Sequence, residues 1–268
     1  MKEQPNYYKR LYNKLQKVYA EYSQKEEVLD PILIPHRYNN DLDIELIGFI
    51  TAVYSFGAIP KIVATTGTIA DLLGSQPLQN LLSFQSKDFK PFYQVRYRFY
   101  TGEDLVSLLK ALQKIYKKYG SLQNLFNESL SEEGVKDRLV DALAVFAKTL
   151  RESGKSSAKG FAYMLPDPAS GSACKRFMMF LRWMVRKEKP DFGIWNVIKP
   201  NELIIPLDTH IKRVAIELGF TLRSTPDMKM AKEITKCLTL YDREDPVKYD
   251  FSLCHMGVDK NLMKQKNV

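Results

Sequence analysis

IIPLDTHIKRVAIELG, Ile204 to Gly219, carries an apolar run into Pro206, then an aspartate, then a helical pattern. Ile211, Val214, Ala215 and Leu218 follow at i, i+3, i+4 and i+7, the spacing of one helix face. Gly219 stands where a helix ends. Asp208 or Thr209 holds the N-cap position, where a side-chain oxygen accepts from a free backbone N–H. On spacing alone two readings of Asp208 stay open: a cap contributing about 1 kcal/mol, or a carboxylate that does chemistry.

The same period runs through most of the chain. Thr101 and Asp104 form a capping-box pattern. Leu105, Leu108, Leu109, Leu112, Ile115, Tyr116 and Tyr119 follow on one face, and Gly120 ends the run. A second helix is expected from near Ser131, with Glu132 and Glu133 in its first turn and Val135, Leu139, Ala142, Leu143, Phe146 and Leu150 on one side. Further helices are expected over Asn6–Val28, Asp43–Phe56, Ile59–Leu73, Met228–Leu240 and Val247–Met256. Only Tyr93, Val95, Tyr97 and Phe99 alternate as a strand does, and an isolated strand is not stable, so a short ribbon or an extended loop is expected there. The fold class is therefore all-α. RESGKSSAKG, Arg151 to Gly160, is small and polar and reads as a hinge between two helical lobes of one 268-residue domain.

Composition limits the function. Apolar residues make up 45% of the chain, enough for a real core. No uncharged run is longer than Leu46 to Pro60, which falls short of the roughly 20 residues of a membrane span and reads as a core helix. The first ten residues carry no apolar signal region, so a cytoplasmic protein, nucleoid-associated if it binds DNA, is expected. The net charge of +9 favours a polyanionic partner. Cys174, Cys237 and Cys254 are scattered, as are His36, His210 and His255, which argues against a metal site and for reduced thiols. No cofactor is expected.

SGSACKRFMMFLRWMVRKEKP, Ser170 to Pro190, is the other segment able to carry chemistry. Ser170 or Ser172 can cap a helix whose apolar stripe is Cys174, Phe177, Met178, Leu181, Met184 and Val185. Lys175, Arg182 and Arg186 share an adjacent face, with Arg176 beside them. That face is either a solvated charged surface or, starting at a helix N-terminus, a phosphate-binding one. FKPFYQVRYRFY, Phe89 to Tyr100, with Arg96 and Arg98, either stacks on or clamps DNA or packs its aromatics under a loop. Trp183 and Trp195 read as core or pocket wall, and His210 either contacts phosphate or bonds within the helix start.

Pro206 to Val214, Pro-Leu-Asp-Thr-His-x-x-Arg-Val, resembles the V-D-T-H-x-x-R-V signature of helix-hairpin-helix DNA glycosylases such as endonuclease III. The resemblance makes Asp208 catalytic as well as a cap. It also puts Lys175 in the place of the nucleophilic lysine, at a helix start after a hairpin. Leu165 to Lys175, LPDPASGSACK, keeps Leu-Pro and a glycine before the lysine but lacks the two-glycine turn of the glycosylase hairpin. The long stretch between Lys175 and Asp208 is more similar to the archaeal 8-oxoguanine glycosylases. HRYNNDLDIE, ACKRFMMFLRWMVR, DFGIW, LIIPLDTH and DPVKYDF resemble the bacterial domain-of-unknown-function 2400 family, a distant relative of the glycosylases.

The resemblance implies a two-lobed helix-hairpin-helix glycosylase-like fold. It also implies a DNA-repair glycosylase with AP-lyase activity, with an oxidised purine as candidate base. Such an enzyme extrudes the damaged nucleotide from the duplex. A lysine amine must shed its proton to attack C1′, which desolvation or neighbouring cations promote. Lys175 has Arg176 beside it and Phe177, Met178 and Met179 within a turn. Asp208 would stabilise the positive charge developing on the sugar. Ser172, Arg176, Arg182, Arg186, His210, Arg96 and Arg98 are the expected contacts to double-stranded DNA, with the protein acting as a monomer and without a membrane. The alternative is a nucleic-acid-binding protein on the same scaffold that performs no chemistry.

Overall fold

The computed structural model describes residues 4–23, 29–131 and 137–258. It is all-α. In chain order the helices are α1 (Gln4–Ser23), α2 (Asp41–Tyr54), α3 (Ile59–Leu73), α4 (Pro77–Ser83), α5 (Gly102–Tyr119), α6 (Leu122–Leu130), α7 (Arg138–Gly154), α8 (Lys159–Met164), α9 (Lys175–Val185), α10 (Thr209–Glu217), α11 (Met228–Leu238) and α12 (Asp250–Val258). Among the described residues there is no strand, only two isolated antiparallel bridges, Tyr97 with Tyr100 and Ser172 with Asp227. The alternating stretch is a 3-10 turn over Lys90–Gln94 followed by a tight reversal. No helix among the described residues is long and apolar enough to cross a membrane.

Caps explain where the helices begin. Thr101 and Asp104 exchange the two bonds of a capping box at the start of α5. Helix α2 starts at Asp41, ahead of the apolar pattern, because Asn40 Oδ1 accepts from the N–H groups of Leu42 and Asp43. Ser131 is the C-cap of α6, and Glu132, Glu133 and Val135 lie outside the described residues, as do residues 24–28 of the expected first helix. The expected final helix divides into a 3-10 turn over Pro246–Tyr249 and then α12.

The chain forms two compact units. One holds the described residues of 1–28, 171–192 and 198–268, and the other holds 29–170 and 193–197. In the latter, α5 packs on α7 and α6. An aromatic run, Phe49–Phe146–Phe126–Trp195, crosses its core with ring centroids 5.6–6.0 Å apart. Glu45 of α2 is buried beside it. Its carboxylate accepts from Tyr116 Oη (2.7 Å), from the N–H groups of Leu122 (2.7 Å) and Gln123 (3.0 Å) at the start of α6, and from Trp195 Nε1 (2.8 Å). One carboxylate thus ties α2, α5, α6 and the 193–197 segment. Burial raises its pKa, and these four donors pull the other way without cancelling the rise.

The polar stretch 151–160 lies within this same unit, and the chain changes unit further on, between Ser170 and Gly171. Two of its glycines are closely packed. Gly154 abuts the Phe161 ring, which a Cβ would approach to 2.2 Å. Gly160 allows the start of α8 to meet Asp104, whose Oδ1 accepts from Phe161 N at 2.8 Å.

Replacing Glu45 by leucine strands several buried donors, each costing about 1–3 kcal/mol. Glu45→Leu should lose at least about 3 kcal/mol of unfolding free energy in urea titration. A midpoint equal to wild type would show that the four-way tie is dispensable.

Candidate functional site

Helix α9 carries the centre of the other unit, and every residue from Arg176 to Val185 is buried. The expected basic face is therefore not a surface. Arg182 and Arg186, foreseen as phosphate contacts, are 3% and 2% exposed. Asp191 Oδ2 lies between them, 3.2 Å from Arg182 Nη2 and in contact with Arg186 Nη1. Arg182 Nη1 also pairs with Asp250, and Arg186 Nε donates to both oxygens of Asp245 at 2.9 and 3.1 Å. The two arginines are one turn apart, and the two aspartates of DPVKYDF meet them in reverse order, Asp250 on Arg182 and Asp245 on Arg186. Two guanidinium groups inside a protein need such partners, because an isolated buried charge costs several kcal/mol. Arg176 is buried as well, so it too is withdrawn from the expected DNA surface.

The start of α9 differs from the expected serine cap. The N-cap is Cys174, in the left-handed region at φ 45°, with no side-chain cap bond. Left-handed backbone is uncommon outside glycine. Here it turns the chain into the helix directly ahead of Lys175. Ser172 is exposed, and its Oγ accepts from Cys174 N at 3.3 Å. The Ser172–Asp227 bridge and the bond from Met228 N to Gly171 O (3.0 Å) fasten this approach to the start of α11. Lys175 is half-buried, and its Nζ lies 3.5 Å from Met179 Sδ one turn on.

Asp208 is the N-cap of α10, as its position in the sequence predicts. Oδ1 alone does the capping, accepting from His210 N at 2.9 Å and Ile211 N at 2.8 Å. Oδ2 makes no hydrogen bond among the described residues. His210 contributes its backbone N–H to that cap, and its side chain is half-buried. Helix α10 packs on α12, whose first residue is Asp250. Asp250 feels the charges of both sequence candidates. Burial pushes its pKa up to about 6. The Arg182 charge pulls it down, the Asp208 charge pushes it up and the Lys175 charge pulls it down. Arg182, Asp208 and Lys175 thus each act on the Asp250 carboxyl, which Arg182 also holds by an ion pair.

Arg96 and Arg98 belong to the other unit. Both are exposed, with Arg96 Nη1 donating to Tyr93 O at 2.8 Å and the Arg98 guanidinium 5.5 Å from the centre of the Phe56 ring. Among the described residues no group of three His, Cys, Asp or Glu is placed to hold a metal ion. Sequence reading missed Asp191, Asp245 and Asp250. The available signal was charge bookkeeping: two arginines one turn apart in an otherwise apolar helix require buried acidic partners.

Two outcomes follow from the buried network. Arg186→Met leaves Asp191 and Asp245 short of a partner and should cost about 3–5 kcal/mol in denaturant titration, while the salt dependence of any DNA binding stays unchanged. A flatter salt slope with little stability loss would mean Arg186 faces phosphate after all. The raised pKa of Asp250 sets a pH dependence. Its folded value is about 6 against an ordinary 3.8, so between those values the folded state holds a proton that the unfolded state has released. Wild type should then lose stability relative to Asp250→Asn as pH rises from about 4 to about 6, by about 1.4 kcal/mol per unit. A difference that grows in favour of wild type over that window would contradict the assignment.

A search of curated proteins and a search of solved structures each give no match. The family model described as "Protein of unknown function (DUF2400)" matches residues 30–259, which span both units and include Glu45, Lys175, Arg182, Asp208 and Asp250. The chain is a member of the DUF2400 family.

Proposed function

We infer that this protein is a DNA-repair glycosylase with AP-lyase activity, using Lys175 as nucleophile and Asp208 as its electrostatic partner. The observation that carries the reading is the division of labour in Asp208: Oδ1 caps α10, Oδ2 makes no hydrogen bond among the described residues, and Asp208 and Lys175 each act electrostatically on Asp250.

The reaction uses these groups without a cofactor. The Lys175 amine, once deprotonated, gives its electron pair to C1′ of an extruded nucleotide. The C1′–N bond breaks and its electrons leave with the base, which takes up a proton. The negative charge of Asp208 offsets the positive charge gathering on the sugar. Opening of the sugar ring then leaves a Schiff base between C1′ and Lys175. Loss of a C2′ proton expels the 3′ phosphate and cuts the strand. Arg182 and Asp250 hold the walls of the site and touch no DNA in this scheme. An oxidised purine is the candidate base, on the resemblance to the archaeal 8-oxoguanine glycosylases.

The test is borohydride trapping on a duplex with an abasic site, beside single-turnover cleavage of duplexes carrying oxidised purines. Wild type should give a covalent protein–DNA adduct, and Lys175→Ala should give none while keeping most duplex affinity. Asp208→Asn retains a capping oxygen and should melt close to wild type yet turn over about a hundredfold more slowly or worse. Duplex binding with no adduct from wild type would leave the non-catalytic alternative, and full turnover by Asp208→Asn would make the aspartate a cap alone.

A further inference from the structure

In the unit that holds residues 29–170, Tyr97 and Tyr100 close a two-residue reversal through both backbone bonds, Tyr97 N to Tyr100 O at 3.1 Å and Tyr100 N to Tyr97 O at 2.8 Å. Arg98 and Phe99 form its tip. Arg98 takes φ 54°, where such turns ordinarily carry glycine or asparagine. A non-glycine residue held there is strained by about 1 kcal/mol or more, and strain of this kind collects at functional positions. The surroundings hold it in place. Tyr97 Oη donates to Phe56 O, and Gly57, at φ 103°, leaves room for the Arg98 side chain. A Cβ on Gly57 would lie 2.9 Å from Arg98 Nη1.

The strained turn presents an aromatic surface. Phe99 is 51% exposed and Tyr163 of α8 is 49% exposed, their ring centroids 4.9 Å apart. Behind them Phe56 packs on Phe99, Tyr100 and Tyr163 at 4.9–5.7 Å, fixing the half-exposed rings against a buried layer. The rim is basic. Arg98 is exposed at the tip of the turn, Arg96 stands exposed just ahead of it with Nη1 on Tyr93 O, and exposed Lys159 precedes Tyr163 by four residues on α8, which puts both on one helix face. Half-exposed aromatics bordered by cations match an unpaired nucleobase: the base stacks on the ring, and the phosphates on either side meet the positive charge. The chain's net charge of +9 favours the same ligand.

We propose that the Arg98–Phe99 turn, with Tyr163, is a stacking site for an unpaired nucleobase of single-stranded nucleic acid. It stands independently of the Lys175–Asp208 chemistry and serves any strand with exposed bases. Double-stranded DNA, whose bases are covered, is a poorer ligand for it.

The experiment measures fluorescence anisotropy of the full chain with labelled oligothymidylate of twelve nucleotides. The comparison probes are oligouridylate of equal length, a blunt duplex, and a base-free strand of tetrahydrofuran phosphates, which lack the C1′ hydroxyl and cannot react with Lys175. Oligothymidylate should bind, and Phe99→Ala should weaken it about tenfold or more, the scale of one lost stack. Phe99→Trp should restore binding, and neither variant should change affinity for the baseless strand. Equal binding of oligouridylate extends the site to RNA, and weaker binding assigns it to DNA; both support stacking. Lys175→Ala should bind oligothymidylate as wild type does, so failure of the glycosylase reading leaves this result intact. The proposal is overturned if wild type ignores oligothymidylate at low salt. It is also overturned if Phe99→Ala binds it unchanged, or if Phe99→Ala instead abolishes self-association of the chain.

Discussion

Two arginines buried one turn apart in α9 govern the architecture around the candidate site. A helix with Phe177, Phe180, Trp183 and Met184 on it is driven into the core, and Arg182 and Arg186 go in with it. Their charges become tolerable only when the Asp191 loop and the 245–250 segment close on them. That closure fixes where α12 begins. Helix α12 in turn packs on α10 and α1, so the position of the Asp208 cap depends on the same ion pairs. Replacing such a network wholesale by apolar residues is often tolerated, whereas removing one member is costly. The arrangement therefore specifies how these segments register against one another more than it adds net stability.

The catalytic reading rests on that registration. Lys175 heads the helix whose interior arginine holds Asp250, and Asp208 caps the helix that packs against α12. Asp250, held by Arg182, is the group on which both that lysine and that half-used carboxylate act electrostatically. Burial raises the Asp250 carboxyl to about 6, so the charge beside Arg182 is sensitive to pH near neutrality.

What was legible in the sequence follows from how local each signal is. The capping box at Thr101, the α3 boundaries and the Asp208 cap depend on residues within a turn of each other, and all three stand in the structure. The all-α class follows from the 3.6-residue period. The basic face of α9 was misread, because spacing shows which side of a helix a charge lies on, not whether that side is covered. Its cover comes from aspartates as many as 68 residues away in the chain. Glu45 was unreadable as a hub for the same reason, since its partner Trp195 is 150 residues distant. The strand-like alternation of Tyr93–Phe99 instead serves a turn whose rings divide between core and surface.

The central claim is that Lys175 is the residue that joins DNA. The most direct measurement is peptide mapping by mass spectrometry of the borohydride-reduced adduct formed by the unmodified chain on an abasic duplex. The account predicts a sugar remnant on the Lys175 side chain, in the peptide that begins α9. A remnant on another lysine, or on the N-terminal amine, would contradict it and would leave the buried network of α9 as a structural device without catalytic purpose.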